Sequence, residues 1–285
     1  MKLFAVLLLL GMFSLSVAEV VNSFKDTCPQ FFIRNNNNQA VPPTVLKAEQ
    51  YKQICQFYEK DYRFATLYDI KCRIPVYSAY IYTITEPRKI KNSDWKIEPQ
   101  LDEKQADREM RRETEEEEKQ FRNQSLNKDY RGSGYTKGHV FPKSYAFSDQ
   151  QKESTFTLTN AAPQTENSNR EWAEQVEEEM LKEIKKKTCV DTAYIVTGVV
   201  PGKTWLPIER RWGAIVQGVN IPRYFWTAYS CKNNNNINVS KAYISQQIIP
   251  TPKGETNFKV KNMTVDELNK KFETGYYKTP FRVFG

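Results

Sequence analysis

The sequence predicts a single α+β domain. Runs rich in β-branched and aromatic side chains, which favour strands, cover residues 63–85, 156–158 and 194–200. A long amphipathic helix is indicated at residues 171–187, but strands and helices do not alternate regularly as they do in a doubly wound sheet. The sequence contains no internal repeat, and its 285 residues suffice for one domain with a sizeable core.

The first 18 residues have the pattern of a cleaved signal peptide. A lysine precedes an apolar run at residues 3–12, and small residues precede a cut before Glu19. A membrane anchor is the weaker alternative, because this run is shorter than the roughly 20 residues of a membrane-spanning helix. No later segment is long and apolar enough to span a membrane. We therefore expect a secreted, extracellular protein.

The mature chain is expected to contain a short extension and one main domain. Residues 19–62 include an asparagine run and adjacent prolines typical of loops, and residues 48–58 are compatible with a short helix. We interpret this region as an extension packed on a main domain of residues 63–285. Towards the C-terminus, residues 233–236 predict a second asparagine-rich loop and residues 265–272 a last short helix.

Secretion favours disulfide bonds among the five cysteines. Because their number is odd, at least one thiol has no partner within the chain. Cys189 and Cys231 bracket one segment and are the favoured pair, although spacing alone does not determine connectivity. Acceptor sequons at Asn123, Asn238 and Asn262 predict N-linked glycans on the surface.

Charge is unevenly distributed along the chain. It has 42 Lys and Arg against 34 Asp and Glu, a formal net charge of +8, and a mean hydropathy of −0.68. Residues 101–120, here called the acidic stretch, hold nine acidic and five basic side chains. We interpret this stretch as a solvated surface segment. The rest of the chain is correspondingly more basic, which favours a polyanionic partner such as DNA, RNA or an acidic glycan.

The only histidine, His139, excludes metal sites built from several imidazoles. It follows a glycine at the edge of an apolar run, within the motif Tyr-Thr-Lys-Gly-His-Val-Phe-Pro of residues 135–142. A neutral imidazole can accept a proton from water near pH 7, whereas a lone histidine is more often an ordinary polar residue. On the catalytic interpretation, the rate should rise with pH through one imidazole-like titration between about pH 5 and 8.

Two further candidates lie close to the predicted long helix. The amide oxygen of Asn169 is a hard, neutral ligand suited to Mg²⁺, and the alternative is that Asn169 caps the helix. Glu177 falls within an apolar stripe, where a carboxylate needs a partner unless it lies at the margin with its head in water. The apolar stripe consists of Ala173, Val176, Met180, Leu181 and Ile184.

The motif at residues 135–142 resembles the Asp-Arg-Gly-His signature of the DNA/RNA non-specific endonucleases, members of the ββα-metal (His-Me finger) group. Residues 159–164 and 169–172 are similar to that family's second conserved run. The resemblance extends from about residue 63 to the C-terminus and is greatest to the endonuclease domain-containing 1-like proteins of fish. It implies a single endonuclease domain with a central, mainly antiparallel sheet flanked by helices and a ββα-metal motif. Further matching segments are residues 64–68, 95–99, 194–198, 221–226 and 264–268.

The resemblance implies a role for each matching residue. His139 corresponds to the general base, Asn169 to the direct metal ligand, and Glu177 to the carboxylate that orients metal-bound water. The implied cofactor is Mg²⁺, with Mn²⁺ or Ca²⁺ as possible replacements. The candidate substrate-binding residues are Lys137, Asn160 and Arg170.

The chain departs from the family pattern at several positions. Thr136 and Lys137 replace Asp and Arg, and an ammonium cannot bind phosphate through two parallel hydrogen bonds as a guanidinium does. Ser93 replaces a frequent phosphate-binding arginine, and Phe156 replaces a frequent asparagine. These changes bear on the turnover rate more than on the mechanism. Residues that could compensate for the lost guanidiniums are Arg88, Lys91 and Arg170.

The resulting hypothesis is metal-assisted hydrolysis of phosphodiester bonds in DNA and/or RNA, leaving 5′-phosphate and 3′-hydroxyl ends. Little sequence preference is expected, because the contacts would be mainly with the phosphate backbone. Two alternatives stay open. One is a catalytically weak or inactive secreted protein that binds nucleic acid or another polyanion on the same fold, and the other is an interaction glycoprotein that binds sulfated matrix. No oligomeric state is predicted.

Overall fold

An eight-stranded sheet forms the centre of the computed structural model, which describes residues 19–83, 93–190, 192–209, 215–251, 254–255 and 257–285. The strands are β1 (Val20–Val21), β2 (Ile33–Arg34), β3 (Ala40–Val41), β4 (Tyr51–Tyr58), β5 (Asp61–Asp69), β6 (Ile74–Thr83), β7 (Thr136–His139), β8 (Ala161–Gln164), β9 (Thr192–Val200), β10 (Thr204–Glu209), β11 (Ile215–Ile221), β12 (Tyr224–Lys232), β13 (Asn238–Gln246), β14 (Pro250–Thr251), β15 (Gly254–Glu255) and β16 (Val260–Met263). The central sheet has the order β1-β4-β5-β6-β9-β12-β13-β16, and all its neighbouring strands are antiparallel. The predicted α+β class with a mainly antiparallel sheet is confirmed.

Short helices cover both faces of the sheet. They are α1 (Phe24–Thr27), α2 (Glu115–Gln120), α3 (Asn127–Tyr130), α4 (Asp149–Ser154), α5 (Glu166–Trp172), α6 (Glu178–Glu183) and α7 (Val265–Lys271). Turns of π-helix at Ala173–Glu177 and Ile184–Thr188 continue α5 and α6 into one long helix, and a third, Phe272–Tyr276, follows α7. Single 3₁₀ turns occupy Pro29–Phe31, Pro99–Leu101, Lys143–Tyr145 and Leu158–Asn160. In the described part of the chain, no helix has both the length and the apolar character to cross a membrane.

The sheet separates two hydrophobic cores. On one face, Trp172 and Met180 of the long helix pack against the sheet in a cluster that also contains Tyr80 and Ile195. On the other face, α7 and the C-terminal segment bury Phe272 in a second cluster. The first core therefore fixes the position of the helix that carries three of the candidate site residues, Asn169, Arg170 and Glu177.

The predicted helix at residues 48–58 is wrong, because this segment forms β4. Four successive residues of β4, 54–57, are buried, so the period-2 alternation that usually marks a strand is absent. β4 pairs with β1 and β5, so the region predicted as an extension contributes two strands to the central sheet. The strand predicted at residues 156–158 is also wrong. It is an extended segment with a single parallel bridge, Lys96 to Thr157, followed by a 3₁₀ turn. The predicted signal peptide lies outside the described residues.

The two asparagine runs form the same type of hairpin loop. The Oδ1 atoms of Asn35 and Asn233 each accept hydrogen bonds from two backbone amides further along their loop, at 2.9–3.0 Å. The last asparagine of each run, Asn38 or Asn236, has a positive φ of 57° or 58°, a conformation that asparagine tolerates better than most residues. Turn chemistry thus accounts for both runs.

Two disulfide bonds stabilise the ends of the central sheet. The predicted Cys189–Cys231 bond is confirmed and joins the end of the long helix to β12. A second bond, Cys28–Cys55, ties the N-terminal segment to β4. Cys72 is half-buried with a free thiol.

A buried carboxyl pair supports the segment that leads to the candidate site. Glu19 and Glu98 are both fully buried, and each carboxyl lies close enough to affect the pKa of the other. Burial raises the pKa of both carboxyls. Thr157 and Thr159 donate hydrogen bonds to Glu98 Oε1 at 2.6 and 3.2 Å. This network holds the 3₁₀ turn that ends at Asn160.

Candidate active site

Two short strands and the first part of the long helix build the candidate site. β7 and β8 pair in register, with His139 opposite Ala161. The helix α5 begins directly after β8, with Thr165 as its N-cap, whose hydroxyl accepts a hydrogen bond from Ser168 N at 3.3 Å. The helix thus begins five residues earlier than predicted, and Asn169 lies inside its first turns rather than at the cap. The capping interpretation of Asn169 is therefore wrong.

The glycine before the histidine is required by close packing within the hairpin. A Cβ atom on Gly138 would lie 2.3 Å from Gln164 Oε1 and 2.9 Å from Gln164 Cβ. A side chain at this position would therefore require the Gln164 side chain to move. Gly138 thus allows close packing of β7 on Gln164 directly before His139.

Four of the predicted site residues line one cavity of about 630 Å³: Lys137, His139, Asn169 and Glu177. The other two predicted residues do not. Asn160 is fully buried and makes hydrogen bonds with Ser78, Phe141 and Thr155, so it cannot contact a substrate. Its assignment as a substrate-binding residue is corrected: it holds the strand-turn connection next to His139.

Arg170 points away from this cavity. It is exposed, pairs with Glu171 at 3.6 Å, and lines a separate shallow depression on the outer side of α5. A helix turns about 100° between consecutive residues, so Arg170 and Asn169 cannot both face the same cavity wall. Contact of Arg170 with a longer nucleic-acid chain stays a prediction.

The imidazole of His139 lies between two aromatic rings. Its centroid is 4.7 Å from that of Trp95 and 4.7 Å from that of Phe156, which meets it edge to face. Nε2 is enclosed and has no hydrogen-bond partner. Burial, together with the nearby Lys143 ammonium, lowers the pKa of His139 to about 3. The imidazole is therefore neutral, as a general base must be, over the whole physiological pH range.

We expect the single histidine to show no titration between pH 5 and 8 by NMR of its one imidazole, since the depressed pKa of about 3 keeps it neutral. This replaces the rise in rate through an imidazole titration that the sequence suggested. The urea-unfolded chain is the control and should titrate near about 6.5. Phe156→Asn, which admits water beside the ring, should move the folded pKa upward. A midpoint near 6.5 in the folded wild type would contradict the enclosed environment.

Thr136 orients the amide of Asn169. The Thr136 hydroxyl donates to Gln164 O at 2.9 Å, so it can only accept from Asn169. Asn169 Nδ2 donates a hydrogen bond to this hydroxyl at 3.3 Å. This assigns the amide nitrogen to Thr136 and leaves Oδ1 of Asn169 as an oxygen donor for a ligand. Thr136, which departs from the family signature, therefore positions a neighbouring site residue.

Glu177 is the last residue of a π-helical turn. Such turns insert one extra residue into a helix and frequently occur at functional sites. The cavity-lining carboxyl of Glu177 makes no ion pair with a cation in the described part of the chain, and burial raises its pKa to about 8. The Tyr145 hydroxyl holds the helix here by donating to Glu177 O at 2.5 Å.

The residues present fit a divalent cation of the Mg²⁺ type. Asn169 Oδ1 and the Glu177 carboxylate are both hard oxygen donors, which Mg²⁺ prefers, and Mg²⁺ takes few protein ligands because it keeps several waters. Among the described residues, no group of three or more His, Cys, Asp or Glu side chains could hold a metal ion. A cation at this site would therefore depend mainly on Asn169, and its positive charge would favour the ionised form of Glu177.

Sequence reasoning did not single out two further side chains of the cavity, Trp95 and Lys143. Trp95 covers the imidazole, and Lys143 lies over the Phe156 ring, 5.6 Å from its centroid. Lys143 follows His139 by four residues, but the 3₁₀ turn that brings it back to the cavity leaves no periodic signal. Ser93 lines the cavity with its hydroxyl bonded to the Glu153 carboxylate, so it offers no cation to a phosphate.

Comparison with known proteins identifies a family and several similar chains. A family model described as DNA/RNA non-specific endonuclease matches residues 43–279. The chain is 31% identical over 209 residues to the Endonuclease domain-containing 1 protein of Homo sapiens, and 30% identical over 214 residues to that of Mus musculus. Both matches cover 72% of this chain but only 38% of the relative. A chain from the crystal structure of the EndoG/EndoGI complex is similar with a TM-score of 0.48 and 18% identity, over 74% of this chain and 82% of that one.

Proposed function

Because the chain belongs to the DNA/RNA non-specific endonuclease family, we propose that it is a secreted, metal-dependent endonuclease that hydrolyses phosphodiester bonds of DNA and/or RNA with little sequence preference. One observation carries the proposal: His139, Asn169 and Glu177 line the same cavity. The two-carboxylate or several-histidine sites of other hydrolases are not required, since one neutral base and one oxygen donor for a cation suffice.

In the proposed mechanism, His139 acts as the general base. It takes a proton from a water molecule as the water oxygen forms a bond to phosphorus, and the bond from phosphorus to the 3′ oxygen breaks. The leaving 3′ oxygen takes a proton from solvent water, which gives 3′-hydroxyl and 5′-phosphate ends. Trp95 and Phe156 exclude bulk water from the ring and keep it in one orientation.

Asn169 would hold the divalent cation through Oδ1, and Glu177 would bind its hydration shell. When bound, the cation supplies positive charge that stabilises the negative charge developing on the phosphate. Lys137 and Lys143 add positive charge to the same cavity. These contacts recognise phosphate groups and not bases, so binding should weaken steeply with salt.

A nuclease assay tests the proposal directly. Supercoiled plasmid and a structured RNA are incubated with the purified, glycosylated protein in Mg²⁺ and in EDTA. We expect cleavage with Mg²⁺ and none with EDTA. The alternative function, a secreted polyanion-binding protein on the same fold, is favoured by Lys137 and Ser93 in place of two arginines. It predicts salt-dependent binding of both nucleic acids with no cleavage in either buffer.

Passage through the secretory route predicts a particular pattern of glycosylation. Asn238 and Asn262 are exposed, whereas the Asn123 amide is half-buried and donates to Leu101 O at 2.7 Å. We expect glycans at Asn238 and Asn262 but not at Asn123, because the hydroxyl residue of its sequon, Ser125, is fully buried. Peptide mapping after enzymatic deglycosylation in ¹⁸O water checks this. A fully occupied Asn123 would contradict the structure around it.

We propose that the N-terminal extension, residues 19–62, packs on the endonuclease domain, residues 63–285, and that the two parts fold as one unit. Deleting the first segment would remove β1, β4 and the whole Cys28–Cys55 disulfide bond. The N-terminal part therefore belongs to the same cooperative structure as the site.

A further inference from the structure

We propose that Asn127 and Glu113 position the ammonium group of Lys137 to bind a phosphate of the nucleic acid. The inference rests on the proposed function, because it concerns a contact with that substrate. Lys137 stands where the family signature has arginine, and a flexible ammonium lacks the rigid fork of a guanidinium. The structure shows how this chain restrains it.

The restraint begins at the ammonium itself. Lys137 Nζ donates to Asn127 Oδ1 at 2.5 Å and lies 5.4 Å from the ring centroid of Trp95 and 5.8 Å from that of Tyr130. Lysine has three ammonium protons, so two remain for oxygens of a phosphate. Fixing the group before binding lowers the entropy lost when it binds.

Asn127 is held by the acidic stretch. Its backbone amide donates to Glu113 Oε1 at 3.0 Å, and its Nδ2 donates to Glu113 Oε2 at 2.8 Å and to Trp95 O at 3.4 Å. Because these two hydrogen bonds use both protons of Asn127 Nδ2, the amide oxygen Oδ1 faces Lys137. Glu113 therefore fixes the orientation of the group that restrains the ammonium.

Charge supports the same arrangement. Burial lowers the pKa of Lys137, and the Glu113 carboxylate opposes that shift. Glu113 bonds to Asn127, which in turn bonds to the ammonium. In the described part of the chain, no carboxylate forms an ion pair with Lys137. The lysine therefore keeps its attraction for phosphate. Within the acidic stretch, which the sequence predicts as a solvated surface segment, Glu113 is half-buried and accepts hydrogen bonds from Asn127.

Asn127 also contacts the backbone of Trp95, which covers His139. An Asn127 variant could thus act through Lys137, on binding of the substrate, or through Trp95, on the chemical step. The two routes separate in a double-mutant cycle, because an effect transmitted by Lys137 disappears when Lys137 is already absent.

The test measures binding of a fluorescein-labelled 20-base-pair DNA duplex in EDTA, and KM and kcat where cleavage occurs, for wild type, Asn127→Ala, Lys137→Ala and the double variant. We expect Asn127→Ala to weaken binding by about 2- to 12-fold, the cost of ordering one long side chain, with kcat nearly unchanged. In the Lys137→Ala background the same change should have no further effect. Lys137→Ala should also lower the salt dependence by about one phosphate contact, and Glu113→Gln should give a smaller loss than Asn127→Ala.

Exposed Lys25, which does not line the cavity, provides the matched control as Lys25→Ala. Unchanged or tighter binding by Asn127→Ala overturns the proposal, as does an equal loss in the Lys137→Ala background. If Asn127→Ala does not fold, Glu113→Gln in both backgrounds gives the same comparison. Absence of cleavage by the wild type would refute the proposed function alone, because the binding measurement in EDTA needs no turnover.

Discussion

His139→Ala should lower the rate of plasmid cleavage by about 10²- to 10⁴-fold, the usual cost of removing a general base. No second histidine exists in the chain to replace it. The imidazole also fills the space between Trp95 and Phe156, so the alanine variant leaves a cavity beside them. His139→Gln fills most of that space without providing a base and should be equally inactive.

Two controls separate chemistry from packing. Both variants should bind the labelled duplex in EDTA as tightly as the wild type, because the imidazole is enclosed by rings and its Nε2 has no polar partner. Added imidazole should partly restore cleavage by His139→Ala, through the space the side chain has left, and should not restore His139→Gln. Undiminished nicking by either variant would show that another group removes the proton.

The sequence predicts the architecture well where strands carry a distinct composition. The tyrosine- and isoleucine-rich segment at residues 63–85 contains most of β5 and all of β6, and the segment at residues 194–200 forms most of β9. β4 lacks this signal, because it lies between two other strands and four of its own residues in succession are buried. Burial on both faces removes the alternation from which a strand is recognised.

The sequence predicts which residues belong to the candidate site, but not the contacts that hold them in position. The histidine motif and the position of Glu177 on an apolar stripe are visible in the sequence, whereas the π-helical turn that carries Glu177 is not. Long-range contacts are equally hidden. Thr136 meets Asn169 across 33 residues, and His139 meets Trp95 across the acidic stretch. Such pairings depend on the register of the sheet and the direction of the long helix.

The same limit explains the corrected role of Asn160 and the position of Arg170 outside the cavity. Asn160 matches a supporting position of the family. Only the structure shows that its side-chain amide is hydrogen-bonded to Phe141, Ser78 and Thr155. Arg170 is one residue from Asn169 in sequence and on a different face of α5. Adjacency along a helix separates side chains, whereas a spacing of three or four residues brings them together.

Asn169→Ala should abolish most Mg²⁺-dependent cleavage, since it removes the neutral oxygen that the site offers to a cation. Thr136→Val is the informative partner variant. Valine has nearly the shape of threonine but cannot accept the hydrogen bond from Asn169 Nδ2, so the amide loses its fixed orientation. Loss of such a supporting contact typically weakens metal binding by about 10- to 100-fold.

The two variants should therefore respond differently to Mg²⁺. In a titration of cleavage rate against Mg²⁺ concentration, Thr136→Val should need about 10- to 100-fold more Mg²⁺ for half its maximal rate, and then approach the wild-type maximum. Asn169→Ala should stay far below that maximum at every concentration, and Asn169→Asp, which keeps an oxygen in place, should recover part of it. Identical Mg²⁺ curves for Thr136→Val and wild type would contradict the orienting role of Thr136, and wild-type activity of Asn169→Ala would contradict the role of Asn169 as the cation ligand. In the second case Glu177, to which the resemblance assigns the orientation of metal-bound water, would be the one predicted site residue left with a role at the cation.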